Sequence, residues 1–293
     1  MNKNEGETKN KMVENEITRK EMKKVEGINI IQVILPNTLE EIEIVPIADV
    51  HIGDPNSDIK MFKEMVQYVL ENPNRYVILN GDLMDMALTM SVSDSYGAVL
   101  SPARQVEKVA EILKPIKDRI LAMLSGNHEF RTYKYTGIDV SHYLASMLGI
   151  TDRYSDNSFM LFLKVGQSQT ARPYQAKPKQ QVYSIFVQHG AGGGRKIGGK
   201  ANRLSDSDDI IADADLYIMG HVHTPMAFPT STFVTDTQNM TIVRKNKFFL
   251  LNNSFLDFGG YGLTHGYSPA SKEVTYATLY TQGRKRIKLH VGI

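Results

Sequence analysis

Apolar runs of strand type in this chain stop abruptly at an acid, an amide or a histidine, and that recurrence restricts the fold more than any other feature. Val77 to Leu79 leads through Asn80 and Gly81 to Asp82, with Asp85 three residues on. Ile42 to Ala48 stops at Asp49-Val50-His51, and Ile120 to Leu124 at Ser125-Gly126-Asn127-His128-Glu129. Val182 to Gln188 stops at His189-Gly190, and Leu216 to Met219 at Gly220-His221-Val222-His223. A buried strand needs no such ending. Strands alternating with helical patterns, each strand delivering a polar group where it stops, predict an α/β fold with its chemistry at strand ends.

The residue types at those ends are those of metal and proton chemistry. Asp49 and His51 are two apart, so at a frayed strand end both side chains face one side. His221 and His223 repeat the spacing. A carboxylate beside an imidazole suits a divalent metal, as does the amide oxygen of Asn127. The chain has no cysteine, so oxygen and imidazole nitrogen are the donors available. An uncoordinated histidine such as His128, near a metal-bound phosphate, can protonate a leaving oxygen or stabilise developing charge. Asp85 lies too far along its turn for direct ligation and is suited to orient a histidine. Singly, each cluster has a plainer reading: a loop residue, a satisfied turn histidine, or an ordinary strand end.

Between these clusters the periodicity is regular. Ile28 to Leu35 and Ile42 to Ala48 read as a first pair of strands joined through Pro36-Asn37, although Pro46 interrupts the second. Asp58 to Glu71 is an amphipathic helix with Asp58 as N-cap, followed by strand Tyr76 to Leu79. Met86 to Arg104 reads as a long loop, and Val106 to Ile116 and Val140 to Leu148 as helices, with His142 structural. Ser158 to Val165 is a strand, joined to Val182 to Gln188 by a polar connection containing Arg172, Lys177 and Lys179. Asp206 to Ala212 is a short helix, and Thr241 to Leu251 and Ala277 to Val291 are strand-like. Met1 to Glu26 mixes Lys and Glu and reads as a solvated, partly helical tail, leaving 27–293 as the folded domain.

No targeting signal and no apolar run of membrane-spanning length occur, so the expectation is a cytoplasmic protein with no membrane partner. A formal net charge of +2 gives no global argument for nucleic acid. One local stretch does. Ala191 to Arg203 combines five glycines with Arg195, Lys196, Lys200 and Arg203 and no acid. Glycine-rich backbone and cations beside His189 favour phosphate or nucleic-acid contact over a flexible solvated loop. Arg284, Lys285, Arg286 and Lys288 add a basic C-terminus. Phe255, Phe258, Tyr261 and Tyr267 lie among glycines, for base stacking or hairpin packing.

Together the clusters resemble the calcineurin-like metallophosphoesterase family, in order and spacing, from Asp49 to His223. The resemblance implies a four-layer α/β/β/α sandwich, two mixed β-sheets flanked by helices, with two divalent metal ions at the strand ends. It implies that one ion takes Asp49, His51, Asp82 and His223, and the other Asp82, Asn127, His189 and His221, with Asp82 and a water or hydroxide bridging. His128 matches the family's uncoordinated histidine, and Asp85 the carboxylate that holds it. Similar proteins use manganese, iron, zinc or nickel, with manganese the first expectation.

Substrate class is less determined. Glu129 stands where many phosphodiesterase and nuclease members have Asp and many phosphatases have Glu, which points to monoesters. The arginine constellation of phosphoprotein phosphatases is incomplete: Met86 stands where an arginine is expected, and Arg131 is a candidate. The glycine-rich basic loop and basic C-terminus point to phosphodiesters of nucleotides or nucleic acid, with Arg195, Lys196, Lys200 and Arg203 binding substrate. The alternatives are a phosphomonoesterase for small-molecule or protein substrates and a non-catalytic scaffold. Oligomeric state is left open.

Overall fold

Central strands of this protein bury both faces, which is why their sequences are continuous apolar runs rather than alternating ones. The computed structural model describes residues 17–89, 95–168, 180–192, 194–259, 263, 266 and 268–292. In chain order the first elements are β1 (Thr18–Val25), β2 (Ile28–Ile34), β3 (Glu41–Ile47), α1 (Ile59–Glu71), β4 (Arg75–Asn80), α2 (Pro102–Leu113) and β5 (Ile120–Leu124). There follow α3 (Asn127–Thr136), α4 (Val140–Leu148), β6 (Tyr154–Ser155), β7 (Phe159–Val165), β8 (Gln167–Ser168), β9 (Gln181–Gln188), α5 (Ile197–Ser205) and α6 (Ser207–Ile210). The chain closes with β10 (Leu216–Met219), β11 (Met226–Asp236), β12 (Thr241–Leu251), β13 (Thr275–Tyr280), β14 (Gln282–Gly283) and β15 (Arg286–Val291).

Two mixed sheets result, ordered β1-β2-β7-β9-β10-β12-β11 and β15-β13-β3-β4-β5-β6, with β14-β8 as a small separate pair. Ile42 and Ile44 of β3 and Tyr76 and Ile78 of β4 share a core with Leu161, Tyr183, Ile185 and Leu216 of the other sheet. The alternate residues, Val45, Ile47, Val77 and Leu79, pack on Phe62, Val66 and Val69 of α1 and Val109 and Leu113 of α2. On the far side Phe186, Tyr217 and Phe249 meet Leu204 of α5. This is the expected sandwich of two sheets between helical layers. Each fully buried apolar side chain contributes roughly 1.5–3 kcal/mol, so the two-sided strands are the main source of stability.

Local chemistry accounts for most element boundaries. Asp58 caps α1 by accepting from Met61 N (2.9 Å), and Gly149, at φ 70°, ends α4 in a conformation that costs glycine little. Pro46 is tolerated because β13 pairs with β3 only up to Ala277↔Ile44, so the position lies past the end of that neighbour.

Several expectations are corrected. β2 and β3 do not pair: β2 lies between β1 and β7, and β3 between β13 and β4, so the Pro36-Asn37 turn carries the chain between sheets. The lysine-rich stretch expected as partly helical tail is, from Thr18, an edge strand antiparallel to β2; residues 1–16 lie outside the described residues. β11 was not read from the sequence, and Ala277 to Val291 divides into a hairpin, β13 and β15. Arg172, Lys177, Lys179, Tyr261 and Tyr267 also lie outside the described residues. Among the described residues no helix is long and apolar enough to cross a membrane.

Phe255 ties this framework to the strand-end loops. Its ring meets Phe62 of α1 edge-on at 5.8 Å, its N–H donates to Asp49 O (3.0 Å), and its carbonyl accepts from Asp58 N (2.8 Å). Packing, not base stacking, is its role, whereas Phe258 is half exposed. Phe255→Ala should cost about 3–5 kcal/mol, read as a lowered urea midpoint with unchanged slope.

Candidate metal centre

Parallel pairing of β3 with β4, β4 with β5 and β9 with β10 brings the carboxyl ends of these strands to one edge of the sandwich. The loops leaving that edge, and the first turn of α3, carry Asp49, His51, Asp82, Asp85, Asn127, His128, His189, His221 and His223. They leave in strained backbone: Asp49, His51, Asp82, His221 and His223 all have φ between 50° and 68°. Left-handed conformation at a non-glycine residue costs roughly 1–3 kcal/mol, and its concentration here marks a functional edge. It also changes the reason for the paired spacings. Asp49 with His51, and His221 with His223, share a side because both members turn left-handed after β3 and β10 have ended, not because a pleat alternates.

The side chains converge in two groups. In the first, His223 Nε2 lies 3.1 Å from Asp49 Oδ1 and 3.3 Å from His51 Nε2. In the second, His189 Nε2 lies 3.1 Å from Asp82 Oδ2 and 3.0 Å from Asn127 Oδ1, and His221 Nδ1 lies 2.8 Å from the same amide oxygen. Donor atoms of Asp49, His51 and His223, and likewise of Asp82, His189 and His221, fall within 4.8 Å of one another. The opposite atoms of these groups are spoken for by backbone. Asp49 Oδ2 accepts from His221 N (2.9 Å), Asp82 Oδ1 from His128 N (2.8 Å), and His189 Nδ1 meets Asn80 O at 2.8 Å. Each side chain is thus oriented with one donor atom directed inward.

His128 is held differently. Its Nδ1 meets Asp85 O at 2.9 Å and Asp85 Oδ1 at 3.1 Å, which leaves Nε2 3.9 Å from Asp82 Oδ2. Its ring stands edge-on to His51 at 4.4 Å. Asp85, at 3% exposure, holds His128 as the sequence predicted. Donor atoms of His51, Asp85 and His128 also cluster.

Electrostatics show what the centre demands. Burial opposes protonation of His189, yet the Asp82 charge and hydrogen bond, with Asp49, push it up to about 10. Burial opposes ionisation of Asp82, but His189, His128 and His51 hold its carboxyl well below the usual carboxylate range. Burial also lowers His51, with His128 adding to the effect. At His128 burial pulls down, Asp82 and Asp85 overcome it to leave the pKa raised, and the Arg131 charge works against them. Buried acids at 0–1% exposure call for positive charge at their centre, which a protonated His189 or a bound cation supplies. Oxygen and imidazole donors so arranged fit divalent cations.

Glu129 emerges as the clasp of the edge. Fully buried, it accepts from Asp82 N (2.9 Å) and Gly126 N (2.9 Å) through one oxygen and from Met84 N (3.0 Å) through the other. Burial and the Asp82 charge push it up to about 7, and the Met84 amide pulls it back. It therefore supports the turns and does not face substrate, so its identity no longer points to monoesters.

The basic residues separate. The expected loop is in large part helix α5, with Gly198 and Gly199 in its first turn and Leu204 buried. Lys200 Nζ bonds Thr224 Oγ1, next to His223. A Cβ at Gly192 would lie 3.1 Å from the Arg203 guanidinium, so Arg203 stands over the loop after His189. Arg195 and Lys196 are exposed ahead of α5. The C-terminal cations belong elsewhere: Arg286 pairs with Tyr280, which pairs with Glu41 at the start of β3, the opposite end from the site, and Lys285 bonds Asp215. His142 packs on Tyr154 at 5.7 Å, a structural role.

Other supporting residues were missed by sequence reasoning. Ser254 Oγ donates to Asp49 O (3.0 Å), the Asn80 and Asn252 amides meet at 3.2 Å, and Gln105 braces Met86 N (2.9 Å). The signal was present for Asn80 and Asn252-Asn253-Ser254, which end β4 and β12 as the named clusters end theirs.

A family model of calcineurin-like phosphoesterases matches residues 43–225. No curated protein matches the chain by sequence. Among solved structures, a predicted phosphoesterase from Streptococcus pneumoniae is similar at 15% identity and TM-score 0.35, over 87% of this chain and 91% of that one. The NAD nucleotidase NadN of Haemophilus influenzae is similar at 10% identity and TM-score 0.33, over 86% of this chain and 50% of that one.

Glu129→Gln turns an amide donor toward a backbone N–H and leaves it unpaired in the interior. The variant should lose about 1–3 kcal/mol of stability, measured by urea unfolding, and an unchanged midpoint would remove Glu129 from this role.

Proposed function

Because the chain belongs to the calcineurin-like phosphoesterase family, whose members are metal-dependent phosphoric ester hydrolases, we propose that it cleaves phosphodiesters of nucleotides or nucleic acid at this edge. Asp49, His51, Asp82 and His223 would hold one divalent cation, and Asp82, Asn127, His189 and His221 the other, manganese being the first to test. Such ions acidify water and neutralise charge on the phosphoryl oxygens.

The protein's own groups then divide the work. Asp82 and Asp49 keep their inward oxygens fixed because backbone amides hold the outward ones. Asp85 fixes the His128 ring through Nδ1, so Nε2 faces the reacting centre and, when protonated, donates to the departing oxygen. No protein nucleophile is required. Lys200 and Arg203, beside the loops after His223 and His189, supply charge for the rest of a phosphate chain, and Arg195 and Lys196 extend it outward. The observation that carries the diester reading is this placement of α5 cations against the two ligand loops, together with a buried Met86 where an arginine would grip a terminal phosphate.

Initial rates with manganese on 4-nitrophenyl phosphate and bis(4-nitrophenyl) phosphate test the reading. The diester should be cleaved faster, and Asp82→Asn should abolish that activity. Preference for the monoester would replace the proposal with a phosphomonoesterase. His128→Ala should reduce kcat about 100-fold or more while metal content, measured by elemental analysis, stays unchanged. Equal loss of bound metal and turnover would make His128 a ligand instead.

A further inference from the structure

Helix α3 begins at the metal centre and points away from it. Asn127 is its first residue and His128 its second. At 3.6 residues per turn, positions three and seven beyond His128 fall on His128's own side of the helix. Those positions are Arg131 and Tyr135. Glu129 and Thr132 are buried against the core, so His128, Arg131 and Tyr135 lie along one margin of the buried stripe. Glu129 is the only acid within α3 and is occupied by backbone amides, and Arg131 and Lys134 are the helix's cations.

Aromatic rings interleave with these cations. Tyr135 is 47% exposed, with the Lys134 ammonium 5.9 Å from its ring centre. Phe130 and Tyr133 are half exposed on the adjoining flank with their rings 5.8 Å apart. Tyr135 lies about 10 Å along the helix axis from His128, beyond the reach of a small ester's leaving group. Alternating cations and exposed rings match a polyanion that carries flat rings.

We propose that Arg131 and Tyr135 hold the leaving-group side of a single-stranded nucleic acid, Arg131 on the phosphate beyond the scissile one and Tyr135 stacked on a base. The assignment rests on the diester reading above and on His128 as the group that serves the leaving oxygen. It adds specificity-determining residues on α3, a different element from α5.

The test uses the full-length protein with manganese, a short single-stranded thymidine oligonucleotide and bis(4-nitrophenyl) phosphate. Tyr135→Ala should raise KM for the oligonucleotide about tenfold, as expected for loss of one base-stacking contact, with kcat unchanged and both constants for the nitrophenyl diester unchanged. Tyr135→Phe should restore KM, since stacking needs the ring and not the hydroxyl. Arg131→Ala should also raise oligonucleotide KM and flatten its salt dependence by about 0.7 in log–log slope. Unchanged oligonucleotide KM in both alanine variants would overturn the inference, as would an equal loss on both substrates. A wild-type protein that cleaves the nitrophenyl diester but not the oligonucleotide would overturn it and leave the diester reading standing. One that cleaves only monoesters would overturn both.

Discussion

Everything at the active edge depends on Glu129, a carboxylate buried where β4 and β5 end. By accepting from Asp82 N, Met84 N and Gly126 N it joins the loops that leave two neighbouring parallel strands. That junction fixes the left-handed turn at Asp82, onto which the left-handed turns at Asp49 and His51 are in turn bonded through Gly81 O and Asp82 O, and each such turn is unfavourable by itself. Their cost is offset by cross-loop bonds that the turns themselves make possible: His221 N to Asp49 and His128 N to Asp82. The site is thus a closed set of reciprocal contacts rather than a row of independent ligands.

That closure explains how one carboxylate serves two purposes. A single oxygen of Asp82 or Asp49 fixes a loop, and the other is left to face the centre. The same division recurs in imidazoles, with His189 anchored to Asn80 O through one nitrogen and facing Asn127 through the other. Removing the structural half of any such pair should disturb the chemical half, and Ser254, bonded to Asp49 O, and Asn80, bonded to His189, belong to that structural half.

Much of this was legible in the sequence because parallel strands announce themselves twice, by an apolar run and by an abrupt polar stop. Helix α1 with its Asp58 cap and α4 are where their periodicity puts them. The polar stops identified the groups that converge, and Asp85 was correctly separated as a partner of His128. What was not legible depends on long-range pairing. β2 and β3 have hairpin chemistry between them but enter different sheets, a choice made by their faces finding β7 and β4. Residues 197–205 read as loop because glycine disfavours helix, yet Leu204 buries against Tyr217 and Phe249 and tertiary packing overrides propensity. The basic C-terminus, read as pointing toward phosphodiesters, lies at the far end of the sandwich once antiparallel pairing places Arg286 beside Tyr280 and the start of β3.

Selectivity then has a physical location separate from catalysis. The centre itself is made of strand-end loops locked by mutual bonds, so its residues have little freedom to adapt to different esters. The helices that follow those loops have that freedom: α3 starts at Asn127, and α5 starts within a few residues of His189. Each helix follows a loop of the centre and carries exposed side chains along its length. A monoester extends from the scissile phosphorus on one side only, and would leave one flank without a role. On the diester reading proposed above the substrate extends on both, and cations on α5 and the aromatic, basic face of α3 would be two halves of one recognition surface.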